Sequence, residues 1–126
     1  MSLGAFAAAT TLLVSCGPPP PPPPPPRTPA NLVSNAEWDS ITDGMSLADV
    51  EARLGKRLAL SYEYSYSFYP SGTAVSQSFE YTSEFGRCYQ SISVSLSNVS
   101  SDYLGLGPMR VTDKYNSKFD CDGIIK

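Results

Sequence analysis

The chain has 126 residues, a formal charge of −3 and no histidine. The missing imidazole removes the commonest general base and metal ligand, and with it the Ser-His and Cys-His nucleophile pairs. The mildly acidic balance, with Lys56-Arg57 as the one adjacent basic pair, lacks the concentrated basic face that nucleic acid demands, and no apolar stretch reaches the 18 or so residues of a membrane-spanning helix.

The Ala- and Leu-rich run from Leu3 to Val14 has the length of a signal-peptide apolar region. It ends in Leu13-Val14-Ser15-Cys16-Gly17, which resembles a bacterial lipobox. The resemblance implies removal of residues 1–15 as a lipoprotein signal peptide, and acylation of Cys16, palmitate included, as the first residue of a membrane-anchored protein. Nine consecutive prolines, Pro18 to Pro26, follow. They form a polyproline II rod which, at about 3.1 Å per residue, spans roughly 28 Å. Residues 16–33 are thus read as lipidated cysteine and tether, and residues 34–126 as one small domain.

The chain has three cysteines. With Cys16 acylated, Cys88 and Cys121 remain as an even pair for a disulfide in an oxidising compartment. The alternative is two separate thiols in a reducing compartment. A bridge closing a loop of about 33 residues stabilises by roughly 3–4 kcal/mol in the chain-entropy account, a large share of the roughly 5–10 kcal/mol available to a domain of this size.

Folded structure is expected from Ser34, where Ser34-Asn35-Ala36-Glu37 has capping-box spacing and opens a short helix through Trp38 and Ile41. Asp43-Gly44 breaks it. Ser46-Leu47-Ala48-Asp49 repeats the capping device, and Leu47, Val50 and Leu54 form an apolar stripe on a second helix. Gly55 sits where a left-handed C-cap is wanted. Asp49, Glu51 and Arg53 are read as a solvated helix face.

From Leu58 the apolar period changes from 3.6 to 2. Leu58, Leu60, Tyr62, Tyr64, Tyr66 and Phe68 alternate with small or polar residues in a first strand, and Tyr69-Pro70-Ser71-Gly72 turns the chain. Val75, Gln77, Phe79 and Tyr81 mark a second strand and Glu84-Phe85-Gly86 a second turn. In the third strand Cys88, Gln90, Ile92, Val94 and Leu96 face one way and Ser91, Ser93, Ser95 and Ser97 the other. Asn98 to Pro108 reads as a loop, and Met109, Val111 and Tyr115 to Cys121 as a last strand. The expected fold is α+β, a short helical hairpin packed on one face of a three- to four-stranded antiparallel meander sheet.

No cysteine cluster has zinc spacing and no Gly-rich phosphate loop is present. No catalytic residue, metal, cofactor or small-molecule substrate is therefore assigned. Glu63 and Glu80, placed by alternation on the serine side of adjacent strands, are read as exposed charges rather than a catalytic pair. Tyr62, Tyr64 and Tyr66 share one side of one strand, placed by alternation with Ile92, Val94 and Leu96; core is the default reading. A small core leaves some rings outside, and Tyr66, Phe68, Tyr69 and Tyr81 are the candidate partner-binding residues, since tyrosine offers a large, stiff, amphipathic contact.

The run Ile41-Thr42-Asp43-Gly44-Met45-Ser46, then Val50, then Leu54-Gly55, resembles the helical hairpin that opens the domains of β-lactamase inhibitory proteins and of the SmpA/OmlA-type lipoprotein of the outer-membrane β-barrel assembly machine. The resemblance covers roughly Glu37 to Leu96. It implies a non-enzymatic domain binding a protein partner in the cell envelope, anchored by lipid and facing the periplasm or the surface. Gly17 after the lipid cysteine, by resemblance to enterobacterial sorting, fits the outer membrane. The alternative is a structural lipoprotein of an outer-membrane β-barrel assembly complex.

Overall fold

In the computed structural model of the protein, residues 17–23, 27–70 and 72–126 are described. The signal segment, Cys16 and the end of the proline run lie outside the described residues, as does Ser71.

Both capping boxes form. Ser34 Oγ accepts from Glu37 N (3.1 Å) while the Glu37 carboxylate accepts from Ser34 N (2.9 Å), opening α1 (Asn35–Asp39). Ser46 and Asp49 repeat the exchange to open α2 (Leu47–Leu54), which ends at Gly55 with φ 64°, a left-handed backbone that glycine adopts at less cost than other residues. Val50 and Leu54 are buried. Glu51 is not simply solvated: its carboxylate accepts from Leu58 N at 2.9 Å and ties the chain leaving α2 back onto the helix.

Four antiparallel strands follow in the order of the chain: β1 (Ala59–Phe68), β2 (Gly72–Phe85), β3 (Cys88–Val99) and β4 (Leu106–Phe119). The architecture is α+β, a four-stranded antiparallel meander with two short helices. Its main core joins Val50, Leu54, Ile41, Leu58 and Val33 to Ile92, Val94 and Leu96 of β3 and Val111 of β4, with Phe79 and Tyr81 of β2 packed at the margin. The other face of β3 carries Ser91, Ser93, Ser95 and Ser97, paired with Thr82, Glu80, Ser78 and Ser76 of β2. The period-2 pattern of β3 therefore sorts apolar from hydroxyl side chains as alternation requires.

The alternation of β1 does not continue in the same way. Leu60 pairs with Phe79 on the core side, but Tyr62 pairs with Ser78 on the serine side, because Ser61 is an extra residue in a β-bulge. One inserted residue reverses every later side chain. Tyr62, Tyr64, Tyr66 and Phe68 thus lie on the face opposite Ile92, Val94 and Leu96, which corrects their expected place in the core. The same reversal moves Glu63 to the helix side, where it accepts from Gln77 Nε2, while Glu80 stays on the serine side, so the sheet separates the two carboxylates.

Ser61 Oγ donates to Ser78 O at 3.0 Å, supplying a bond where the ladder is interrupted. A second bulge interrupts β4 between Asp113 and Val111, and there Thr112 Oγ1 reaches Ser95 O at 3.4 Å. Ser78 and Ser95 are themselves a cross-strand pair, so the two bulges flank the same point of the sheet from either side.

Cys88 and Cys121 form a disulfide. It anchors a second apolar cluster with Leu32 and Ile125. The segment before α1, read from sequence as the end of the tether, is docked instead. Gln90, wholly buried on the apolar side of β3, accepts from Val33 N (2.7 Å) and donates to Val33 O (3.1 Å), so one side-chain amide pairs with a peptide as a neighbouring strand would. Asn31 Nδ2 donates to Ser83 Oγ and Glu84 O, both at 2.8 Å, and Asn35 N donates to Lys126 O at 2.8 Å. Packed structure therefore begins before Ser34, at Thr28, whose hydroxyl accepts from Lys126 N (2.8 Å).

Candidate binding surface

Among the described residues the helices cover one face of the sheet and leave the other open. The open face carries, on β1, Tyr62, Tyr64 and Tyr66 in a column. Ring centroids are 5.8 Å apart for the first pair, tilted by 46°, and 6.2 Å for the second, near-parallel at 21°. These rings are 62%, 48% and 48% exposed. Exposed large aromatics gathered on one flank are uncommon where nothing covers them.

Of the candidate residues, Tyr66 and Phe68 belong to this column and Tyr69 follows at the adjoining turn, 95% exposed, where the Tyr69–Pro70 peptide is cis. Tyr81 does not join them. It pairs with Ile92 on the core side of β2, packs against the main core and donates its hydroxyl to Asn31 O at 2.6 Å, fastening the segment before α1. Cys88 and Cys121 lie at the other end of β3 from the Tyr69 turn, and Cys16 is outside the described residues.

Three further aromatics share the open face: Tyr89 and Phe119, a cross-strand pair, and Tyr115, opposite Ser93. All three are exposed. Between them and the β1 column runs a strip of short hydroxyls, with Ser78 and Ser93 3.1 Å apart. Tyr89 was legible in principle, since the period that sets Ser91 outward sets Tyr89 outward too; the β4 aromatics were obscured by the bulge at Thr112.

The surface offers stacking, apolar contact and hydroxyl hydrogen bonds. Among the described residues no group of three or more His, Cys, Asp or Glu side chains could hold a metal ion. Among the described residues no helix is long and apolar enough to cross a membrane.

At the end of the sheet near the Tyr69 turn, the loop 100–105 is held by its own polar groups. Ser100 Oγ donates to Asp102 Oδ1 (2.6 Å) and Leu104 N to the same oxygen (3.0 Å). The Ser100 hydroxyl, and after it the Leu104 amide, hold the Asp102 carboxyl below the usual carboxylate range. A depressed carboxyl contributes loop order that is fully present above the ordinary carboxylate value of 3.8 and is lost as pH falls through the lower folded value. The protection of the Leu104 and Gly105 amides against exchange, taken relative to an unfolded chain at the same pH, is expected to fall in that acid window, and Asp102→Asn to remove the step; protection unchanged across the window would refute this account.

No protein-family model matches the chain, no curated protein matches it in sequence, and no solved structure matches it. What fold and surface define is a class: an α+β meander domain with one face closed by helices and the other open, aromatic at its flanks and hydroxylic between.

Proposed function

We propose that the protein is a lipid-anchored lipoprotein of the bacterial envelope whose domain is a non-enzymatic protein-binding module, contacting its partner through the open face along β1. The observation that carries this is the exposed tyrosine column Tyr62, Tyr64 and Tyr66, extended by Phe68 and Tyr69 at the end of the strand. Rigid aromatics with a polar tip are the side chains that dominate binding energy when a partner excludes water from them. The lipobox-like Leu13 to Gly17 and the proline rod support the anchor. The run Ile41 to Gly55, with α1 and α2 taken as the hairpin of that resemblance, supports the inhibitor-like or assembly-type lineage.

The test is photo-crosslinking in the envelope of cells making the full chain, with a benzophenone amino acid at Tyr64 and, as a control on the helix side, at Ala52. A partner adduct is expected from position 64 alone, and Tyr66→Ala should weaken capture about tenfold or more. Adducts from 52 and not 64 would overturn the assignment of the face. Barrel-assembly subunits in the adduct would assign the structural role, a soluble hydrolase the inhibitor-like one. Cys16→Ala should release the protein from membranes and abolish acyl labelling, and persistent attachment would overturn the anchor.

A further inference from the structure

We infer that β1 pairs with β1 of a second copy of this chain, antiparallel and centred on Ser65, joining two sheets and two tyrosine columns into one platform. The inference rests on the proposed use of the open face as the binding surface and specifies how that surface is completed.

The two edges of the sheet are built differently. The β4 edge is guarded by Pro108, Arg110, Lys114 and Lys118, the residue types that discourage strand addition. The β1 edge has one charge, Glu63, and neither proline nor lysine nor glycine. Nine of its ten residues are exposed. Among the described residues β2 is its only partner in the sheet, and neither helix packs along it extensively. Beyond the bulge at Ser61, an edge guarded by a single charge is a template for one more strand.

The sequence of that edge selects the strand. Beyond the bulge at Ser61 the regular segment runs from Tyr62 to Phe68, and its midpoint is Ser65. An antiparallel pairing about Ser65 sets Tyr62 opposite Phe68 of the partner subunit and Tyr64 opposite Tyr66 of the partner subunit. Every aromatic then meets an aromatic, on the same face, at cross-strand range. On the helix side Glu63 meets Ser67 of the partner subunit, a hydroxyl able to donate to it.

Neighbouring registers fail. Centring on Glu63 sets two carboxylates directly opposite each other, and centring on Tyr64 runs Phe68 against the bulge, where the side chains have changed face. Centring on Tyr66 carries Tyr62 past the end of the strand onto Pro70, so the register about Ser65 is the one that pairs all four aromatics Tyr62, Tyr64, Tyr66 and Phe68 with one another. With about 150–250 Å² on each aromatic and roughly half of it open, the interface falls at the small end of specific ones, the class of weak, reversible association.

The experiment uses the full chain with Cys16→Ser, which leaves Cys88 and Cys121 in their disulfide. Light scattering during gel filtration at about 100 μM should give twice the 13.5 kDa chain mass. Adding Ser65→Cys should yield a covalent dimer on mild oxidation, because the residue on the axis faces itself. Ser67→Cys should not, because the two copies of that position stand four residues out of register, roughly 13 Å apart and beyond disulfide reach. Ser65→Lys should raise the dimer dissociation constant at least tenfold with an unchanged far-UV circular dichroism spectrum. A monomer at that concentration, an open-ended oligomer, or equal cross-linking at 65 and 67 would overturn the inference. Envelope crosslinking with Ser65→Lys separates the two readings: adducts retained by a chain that never dimerises leave the binding function standing, whereas a dimer without any adduct retires the function and keeps the dimer.

Discussion

Replacing Cys88 and Cys121 together by alanine is expected to lower the stability of the domain by roughly 3–4 kcal/mol. The cross-link spans 33 residues and joins the first residue of β3 to the turn after β4, so reduction restores to the unfolded chain the freedom of a loop containing two long strands. A domain of this size buries only a little over 60% of the surface its unfolded chain exposes, which leaves little reserve. The loss also removes the centre of the second apolar cluster, on which Leu32 and Ile125 rest. Urea unfolding of the oxidised protein and the double alanine variant checks it. Midpoints that coincide would mean that the bridge only decorates a fold already closed by other contacts.

Gln90→Leu is expected to cost about 2–5 kcal/mol although it keeps the side-chain volume, because it strands the Val33 N–H and C=O, each buried group costing about 1–3 kcal/mol when unpaired. Both bonds are to a residue with no exposed surface, so water cannot replace them. Asn116 Oδ1 loses a donor at the same time. The effect should be polarised: hydrogen exchange should rise first from Thr28 to Val33, while β2 and β3 stay protected until global unfolding. A uniform loss of protection would show that Gln90 contributes to the sheet and not to the docking of the segment before α1.

Reading the chain alone recovered what depends on local chemistry. Both capping boxes, the glycine stop at Gly55, the meander order and the apolar face of β3 follow from residues within one turn or one strand of each other. The disulfide followed from counting cysteines. What was missed depends on a single residue seen in context. Ser61 is one serine among many in an unbroken alternation from Leu58 to Phe68, and nothing in its identity marks it as the extra residue that turns the tyrosines outward. The faint signal was the change from aliphatic Leu58 and Leu60 to aromatic side chains beyond it.

Tyr81 had the same pattern as Tyr66 and differs only because β2 lacks a bulge there, leaving its ring inward with its hydroxyl on Asn31. Leu32 and Val33 are too few to show a period, so their burial was invisible. Yet Gln90, a polar residue on the apolar side of β3, was asking for partners beyond the one that Asn116 of β4 supplies.

The way the leading segment is fastened bears on mechanics. A pull on the chain at Thr28 meets, within a few residues, Leu32 seated on the Cys88–Cys121 cystine and Val33 gripped at both its N–H and C=O by Gln90. Tension therefore enters where the segment packs beside the cystine and hydrogen-bonds to Gln90 of β3, instead of peeling α1 from the outside inward. Val33 must shear free of β3 before either helix is disturbed, so a domain held by its leading end yields there only after its strongest joint has been loaded.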